Sequence, residues 1–207
     1  PTGGRTIQSV QMVDLDGDGR QEALAFMRRS SDEKPLKIFV FRMENENYQP
    51  YCTIESSGTA VDSVYYQDLD GDGIVEIPTQ PDEAGLLNMS QSRRMDFIVW
   101  MDYTSPNPEK SFGLLDEETN CYIELPMEWE GNLKLTDSEQ YDGAVELRTV
   151  DEDELVMTLR LVRTTSSLKG WTRLGIVASR QMQAKLGEDA VIQDQTYRLS
   201  RSLYRLN

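Results

Sequence analysis

The chain has 207 residues, a formal net charge of −15 and no histidine. This length suits one large domain or two small ones. The negative charge argues against nucleic acid as a partner, because the phosphate backbone would repel such a chain. The absence of histidine excludes Ser-His-Asp catalysis and every His-ligated metal site. No apolar run reaches about 18 residues, so no transmembrane segment is predicted.

The first part of the chain has the residue pattern of an antiparallel β meander. β-branched and aromatic residues between polar turns predict strands over 6–13, 22–28, 36–42 and 48–55. A second unit starts in the same way, with strands expected over 61–67 and 74–77. The apolar segment 95–103 predicts a buried strand. We therefore predict a repeat region over 1–118, with repeats at about 6–56 and 60–118.

One acidic hexapeptide, Asp-Leu-Asp-Gly-Asp-Gly, occurs at 14–19 and again at 68–73, and a Glu follows at the ninth position of each copy. We call 14–22 the first loop and 68–76 the second loop. Carboxylates at alternate positions of a tight turn converge on one point, and calcium takes about six to eight oxygen ligands. The duplication therefore predicts two calcium sites. Their expected ligands are Asp14, Asp16, Asp18, the Arg20 backbone carbonyl and Glu22, and Asp68, Asp70, Asp72, the Ile74 backbone carbonyl and Glu76.

Two other interpretations share parts of this pattern. A helical EF-hand needs a Glu at position twelve between two helices, whereas Ala25 and Thr79 stand there and the flanks favour strands. Acidic Asp-Gly turns that bind no metal are the second alternative, because Asp-Gly is a turn signal in itself. The shared Glu at position nine favours calcium. We expect this calcium to be structural and not catalytic.

The pattern Asp-x-Asp-x-Asp-Gly-x-x-Glu between two strands resembles the FG-GAP or VCBS-type repeats of integrin α-subunit propellers and bacterial surface proteins. The resemblance covers residues 6–80 and is specific in the loops. It implies blade-like meanders in which calcium rigidifies each loop. A propeller has about four to eight blades, and this chain carries two such loops. The resemblance also implies an exported protein, extracellular or at the cell surface, with a lipid anchor through a segment absent from this chain as one form of attachment.

The remaining part, 119–207, is predicted to be a smaller β-rich domain that ends in a helix. Strands are expected over 121–125, 132–136, 144–150, 154–162 and 172–179. Residues 181–186 are helix formers, although an extended edge is the alternative. Leu199, Leu203 and Leu206 have helical spacing and predict the C-terminal helix. The expected fold class is thus mainly β, as a β-rich α+β protein.

No catalytic or organic-cofactor residues are predicted, and the expected function is that of a non-enzymatic calcium module presenting a face to a protein or glycan. The alternatives are a polysaccharide-acting hydrolase, or its accessory domain, that uses acidic residues, and a purely structural spacer. Cys52 and Cys121 are compatible with a disulfide or with two buried thiols. The three tryptophans, Trp100, Trp129 and Trp171, are expected in the core, with a glycan-binding platform as the alternative.

Overall fold

The computed structural model describes residues 5–29, 37–55, 66–79, 81, 87–88, 93–105, 109–187, 191–192, 195–196 and 203–206. In these residues the chain is mainly β, and the helical elements amount to one short 3-10 turn at Met127–Trp129. The chain divides into two compact units. The first holds 1–82 and 99–110, and the second holds 83–98 and 111–207.

The first unit begins with a four-stranded antiparallel sheet in the order β1-β2-β3-β4. Its strands are β1 (Arg5–Val13), β2 (Glu22–Arg29), β3 (Lys37–Glu44) and β4 (Asn47–Glu55). The predicted meander is therefore confirmed to within a few residues. A short strand, β5 (Ile77–Thr79), follows the second loop. It begins later than predicted, because Ile74 and Val75 belong to the loop. Residues 61–65 of the predicted strand 61–67 lie outside the described residues.

Alternating side chains of this sheet form one hydrophobic cluster together with residues of the first loop and β5. The cluster consists of Val13, Leu15, Leu24, Phe26, Ile38, Val40, Ile54 and Ile77, with Cys52, Val75 and Tyr103 packed against it. Leu15, the second residue of the first loop, is 1% exposed. Burying such a side chain contributes about 1.5–3 kcal/mol. The loop is thus anchored to the sheet by its own apolar residue.

The remaining strands continue the β architecture. They are β6 (Leu87–Asn88), β7 (Met95–Met101), β8 (Glu109–Asp116), β9 (Cys121–Leu125), β10 (Leu133–Asp137), β11 (Val145–Thr149), β12 (Leu155–Arg163), β13 (Thr172–Val177), β14 (Arg180–Leu186), β15 (Val191–Ile192), β16 (Gln195–Thr196) and β17 (Leu203–Arg205). One sheet has the order β13-β14-β12-β11-β10-β6, another has the order β17-β9-β8-β7-β5, and β15 pairs with β16. The predicted domain boundary near residue 118 stays a prediction.

The predicted C-terminal helix is wrong for the residues that are described. Leu203–Arg205 form β17, which pairs with β9 in antiparallel register, and the Tyr204 hydroxyl donates to Glu124 Oε2 at 2.7 Å. A free strand edge offers backbone partners that outweigh a weak local helix preference. Residues 197–202, including Leu199, lie outside the described residues.

The helix formers at 181–186 are likewise extended. They belong to β14, which pairs with β12 on one side and β13 on the other. The extended alternative is therefore confirmed, but the strand does not lie at an edge of the sheet, and Gln181, Met182, Gln183 and Ala184 are all buried. Backbone pairing on both sides holds this polar sequence in a strand. The buried Gln181 side chain also has partners, because its Nε2 donates to the carbonyl oxygens of Arg163 and Ser166.

The structure decides two of the open alternatives. Cys52 and Cys121 are free thiols. Trp100 and Trp129 are core residues that are 0% and 1% exposed. Trp171 is half-buried, and the Arg160 guanidinium lies 3.7 Å from the centre of its ring.

Candidate metal centre

In both acidic loops the residue just before the loop pairs with the Glu at the ninth position. In the first loop Val13 pairs with Glu22 at the ends of β1 and β2. In the second loop Gln67 pairs with Glu76, and their backbone N–H and carbonyl groups exchange hydrogen bonds of 3.0 and 3.1 Å. Strands therefore flank the first loop, as predicted. The second loop is followed by β5, whereas residues 61–65 of the strand predicted before it lie outside the described residues. In both loops the ninth-position Glu returns to the start of its loop.

The two loops also share an internal hydrogen-bond pattern. The carboxylate at position one accepts from the N–H at position six, at 2.9 Å in the first loop and 3.0 Å in the second. The carboxylate at position three accepts from position five, at 3.3 and 3.1 Å. Position five accepts from position seven, at 2.7 and 2.8 Å. Position nine accepts from position two, at 2.9 and 2.7 Å.

Glycine makes this backbone path accessible. The sixth residues, Gly19 and Gly73, have φ of +84° and +89°, and the fourth residues, Gly17 and Gly71, have φ of +69° and +81°. Residues with a Cβ rarely adopt these angles. The Asp-Gly-Asp-Gly sequence is therefore what lets alternate carboxylates turn inward.

Each loop brings three acidic side chains close enough to share an ion. One carboxylate oxygen from each of Asp14, Asp16 and Asp18 lies within 4.8 Å of the others, and the same holds for Asp68, Asp70 and Glu76. Ligands on opposite sides of a calcium ion, each at about 2.4 Å, are separated by such distances. The side-chain positions are compatible with one cation in each loop.

Two of the predicted carboxylates lie outside these groups of three. Glu22 is 3% exposed and directs Oε2 at the Leu15 N–H. Asp72 is exposed and accepts a hydrogen bond from the Lys110 ammonium at 3.0 Å. The pKa of Asp72 is lowered first by the Ile74 backbone N–H and then by Lys110. The roles of the Arg20 and Ile74 carbonyls as ligands stay predictions.

Buried carboxylate oxygens indicate that a cation fits here. Among the described residues, Asp14 Oδ1 and Glu76 Oε1 are buried and have no hydrogen-bond partner. Glu76 is 0% exposed. The pKa of Glu76 is raised to about 7, first by burial and also by the nearby charges of Asp70 and Asp72, against the opposing Leu69 hydrogen bond. A buried anion without a partner is costly, and a bound cation removes that cost.

A basic side chain that sequence inspection did not identify lies beside each loop. Arg42 of β3 contacts Asp16 at 2.5 Å and Glu22 at 3.8 Å. Lys110 of β8 lies 3.0 Å from Asp72 and 3.6 Å from Asp70. Neither lies near its loop in sequence, so only strand pairing brings them together.

The two loops contact each other directly. The Leu15 carbonyl accepts a hydrogen bond from the Val75 N–H at 2.9 Å. A Cβ added to Gly17 would lie 2.9 Å from the carbonyl oxygen of Gly73, which is closer than such atoms pack. The two candidate sites thus share a backbone contact.

No family model, curated protein or solved structure matches this chain. In the described part of the chain, no helix is long and apolar enough to cross a membrane.

Proposed function

We propose that this chain is a calcium-binding module with one ion in each acidic loop. The observation that carries the proposal is the duplicated arrangement of carboxylates around buried oxygens, Asp14 Oδ1 and Glu76 Oε1, that lack a partner among the described residues. Oxygen ligands of this kind bind hard cations. Calcium suits a loop of several carboxylates better than magnesium, which demands near-octahedral geometry and keeps much of its water.

The proposed calcium holds the loop geometry and does no chemistry. Four carboxylates and one carbonyl in each loop would nearly fill the coordination shell, whereas a catalytic metal keeps a position open for substrate or water. The proposed ion of the first loop would lie beside the Val13–Glu22 pair, where β1 and β2 meet, and that of the second loop beside the Gln67–Glu76 pair. An ion there stabilises the pairing that closes each loop.

The proposed setting is outside the cell or at its surface, where the module presents a face to a protein or glycan. The resemblance of the loops to FG-GAP and VCBS-type repeats supports this setting. Extracellular calcium modules have dissociation constants of about 10⁻⁴ to 10⁻³ M. At millimolar calcium, a site near 10⁻⁴ M stabilises the folded state by roughly 1.4 kcal/mol through mass action.

Glu22→Gln and Glu76→Gln variants test the structural role. If calcium is structural, each variant weakens calcium binding and lowers the melting temperature, yet retains any surface partner at saturating calcium. Partner retention is measured by pull-down from native cell surfaces at saturating calcium, with the wild type and both variants. Loss of partner binding at saturating calcium, with stability nearly unchanged, would show instead that calcium bridges the protein to its ligand. The hydrolase alternative stays a hypothesis that turnover assays on α- and β-glycans test.

A further inference from the structure

The two loops are nearly identical in sequence, yet the strand beside each loop presents a different charge. The residue after the closing Glu is Ala23 in the first loop, and it pairs with Phe41. Its counterpart in the second loop is Ile77, which pairs with Met101. The next residues along the partner strands are Arg42 and Asp102. The position beside the first loop is therefore occupied by a positively charged side chain, Arg42, and the equivalent position beside the second loop by a negatively charged one, Asp102.

Arg42 lies against two predicted ligands of the first site. Its guanidinium contacts Asp16 at 2.5 Å and Glu22 at 3.8 Å. It also stacks on the Tyr51 ring, with 3.9 Å between the guanidinium carbon and the ring centre. A guanidinium does not lose its proton in proteins. The first loop thus carries a permanent positive charge that competes with any cation for the same carboxylates.

The surroundings of the second loop are more negative. Asp102 is 4% exposed, and its Oδ1 accepts hydrogen bonds of 2.8 and 2.7 Å from the N–H and hydroxyl of Thr104. Its Oδ2 lies 3.7 Å from Lys110, the ammonium that also contacts Asp70 and Asp72. Lys110 is therefore shared among three carboxylates, one of which lies outside the loop.

Each loop retains one buried oxygen without a hydrogen-bond partner, Asp14 Oδ1 in the first and Glu76 Oε1 in the second. The closing Glu distinguishes the loops: in the described residues Glu76 has no ion-pair partner, whereas its counterpart Glu22 has Arg42. A lysine ammonium on a flexible stem also moves away more easily than a guanidinium stacked on an aromatic ring. The second loop therefore gains more from a bound cation than the first loop does.

We propose that the two sites bind calcium unequally, with the second loop the tighter site and Arg42 the residue that weakens the first. Asp102 acts as an additional carboxylate that strengthens the second site from outside the loop. This inference rests on the proposed calcium function. It identifies Arg42 and Asp102 as residues that set the order in which the sites fill.

Single-site variants separate the two loops. Asp70→Ala leaves the first site and Asp16→Ala leaves the second, and calcium is titrated into each by calorimetry. Arg42→Gln in the Asp70→Ala protein should tighten calcium binding roughly tenfold, the size of one screened charge interaction. In the Asp16→Ala protein the same change should have an effect below about twofold, since Arg42 does not touch the second loop. In the Asp16→Ala protein, Asp102→Asn should weaken calcium binding at the second site roughly fivefold, because it removes one nearby negative charge.

Arg94→Gln is the matched control, because it removes one exposed guanidinium that pairs with Glu117 in the second unit, whereas both loops belong to the first unit. Arg42→Lys keeps the charge and should keep the weak affinity of the first site. Where a single-site variant fails to fold, Arg42→Gln is made in the otherwise wild-type chain. It should lower only the larger of the two calcium dissociation constants. Two equal constants in the wild type, or no tightening by Arg42→Gln, overturns this inference alone. Absence of calcium binding in the wild type overturns the proposed function as well.

Discussion

The carbonyl oxygen of Leu15 accepts a hydrogen bond from the backbone N–H of Val75 at 2.9 Å and so joins the first acidic loop to the second. The N–H of the same Leu15 donates to Glu22 inside its own loop. Val75 stands between Ile74 and Glu76, both of which are predicted ligands of the second site. Ordering one loop therefore helps to order the backbone of the other.

A pair of glycine substitutions tests this contact. Gly17→Ala and Gly71→Ala both place a Cβ on a residue with positive φ, which costs about 1–3 kcal/mol. Gly17→Ala also drives the Cβ to 2.9 Å from the Gly73 carbonyl oxygen, whereas Gly71 has open space within 4 Å. We expect Gly17→Ala to lower the free energy of unfolding by at least about 1 kcal/mol more than Gly71→Ala, because the loops must separate. Urea unfolding in excess calcium measures both.

Calcium titration adds a second readout for the same pair. Gly17→Ala should weaken calcium binding at both sites, and Gly71→Ala should weaken it mainly at the second. Equal losses of stability in the two variants, with equal effects on the two sites, would mean that the loops are independent.

The stability of the chelator-treated protein should fall as the pH rises from 5 to 8. The pKa of Glu76 is raised from its ordinary 4.5 to about 7 in the folded protein. A carboxyl with a raised folded-state pKa contributes its full stability below the unfolded-state value and loses it as the pH rises through 7. The loss is between about 1 and 3 kcal/mol. Because the chain has no histidine, few other side chains titrate in this range.

Excess calcium should reverse this slope, since the ion binds the ionised carboxylate. Glu76→Gln should reduce the slope in chelator and leave the contribution of Glu22, whose pKa is also raised by burial, whereas the exposed Glu139→Gln should leave the slope unchanged. Thermal melting at several pH values is measured for the wild type in chelator, the wild type in excess calcium, and each of the two Gln variants in chelator. A flat wild-type curve in chelator would contradict the burial of an unpaired Glu76 carboxylate.

Two neighbouring arginines should differ in their effect on stability. Arg93 is buried and pairs with Asp116, which is fully buried and also accepts from the Thr119 hydroxyl at 2.6 Å. Arg93→Ala leaves that carboxylate without its charged partner and should cost about 3–5 kcal/mol. Arg94, whose side chain is 72% exposed, pairs with Glu117 at 2.9 Å, and Arg94→Ala should cost less than about 1 kcal/mol. Comparable losses in urea unfolding would contradict this account.

The local parts of the fold and site were predictable from sequence. The strands β1 and β2 that flank the first loop follow from β-branched and apolar residues, and Asp14, Asp16 and Asp18 converge because their spacing and glycines are local properties. The C-terminal segment was misassigned, because Leu203–Arg205 take their conformation from β9. Local helix preference cannot reveal a partner strand that is distant in the chain.

The charges that distinguish the two sites were not predictable for the same reason. Arg42, Asp102 and Lys110 reach the loops only through strand register. The duplicated sequence predicts two sites with corresponding ligands, whereas the residues on neighbouring strands make the surroundings of the two sites unequal. The 54-residue repeat offset that relates Glu22 to Glu76 does not relate Arg42 to Asp102, so the repeat itself carried no signal for that pair.

Calorimetric titration of calcium into wild type, Asp16→Ala and Asp70→Ala tests the central claim most directly. We expect two bound ions for the wild type and one for each variant, with dissociation constants at or below about 10⁻³ M. Folding of each variant is checked by circular dichroism in the same buffer. No heat of binding in the wild type, together with a melting temperature that does not change on chelation, would contradict the proposal that these loops are calcium sites.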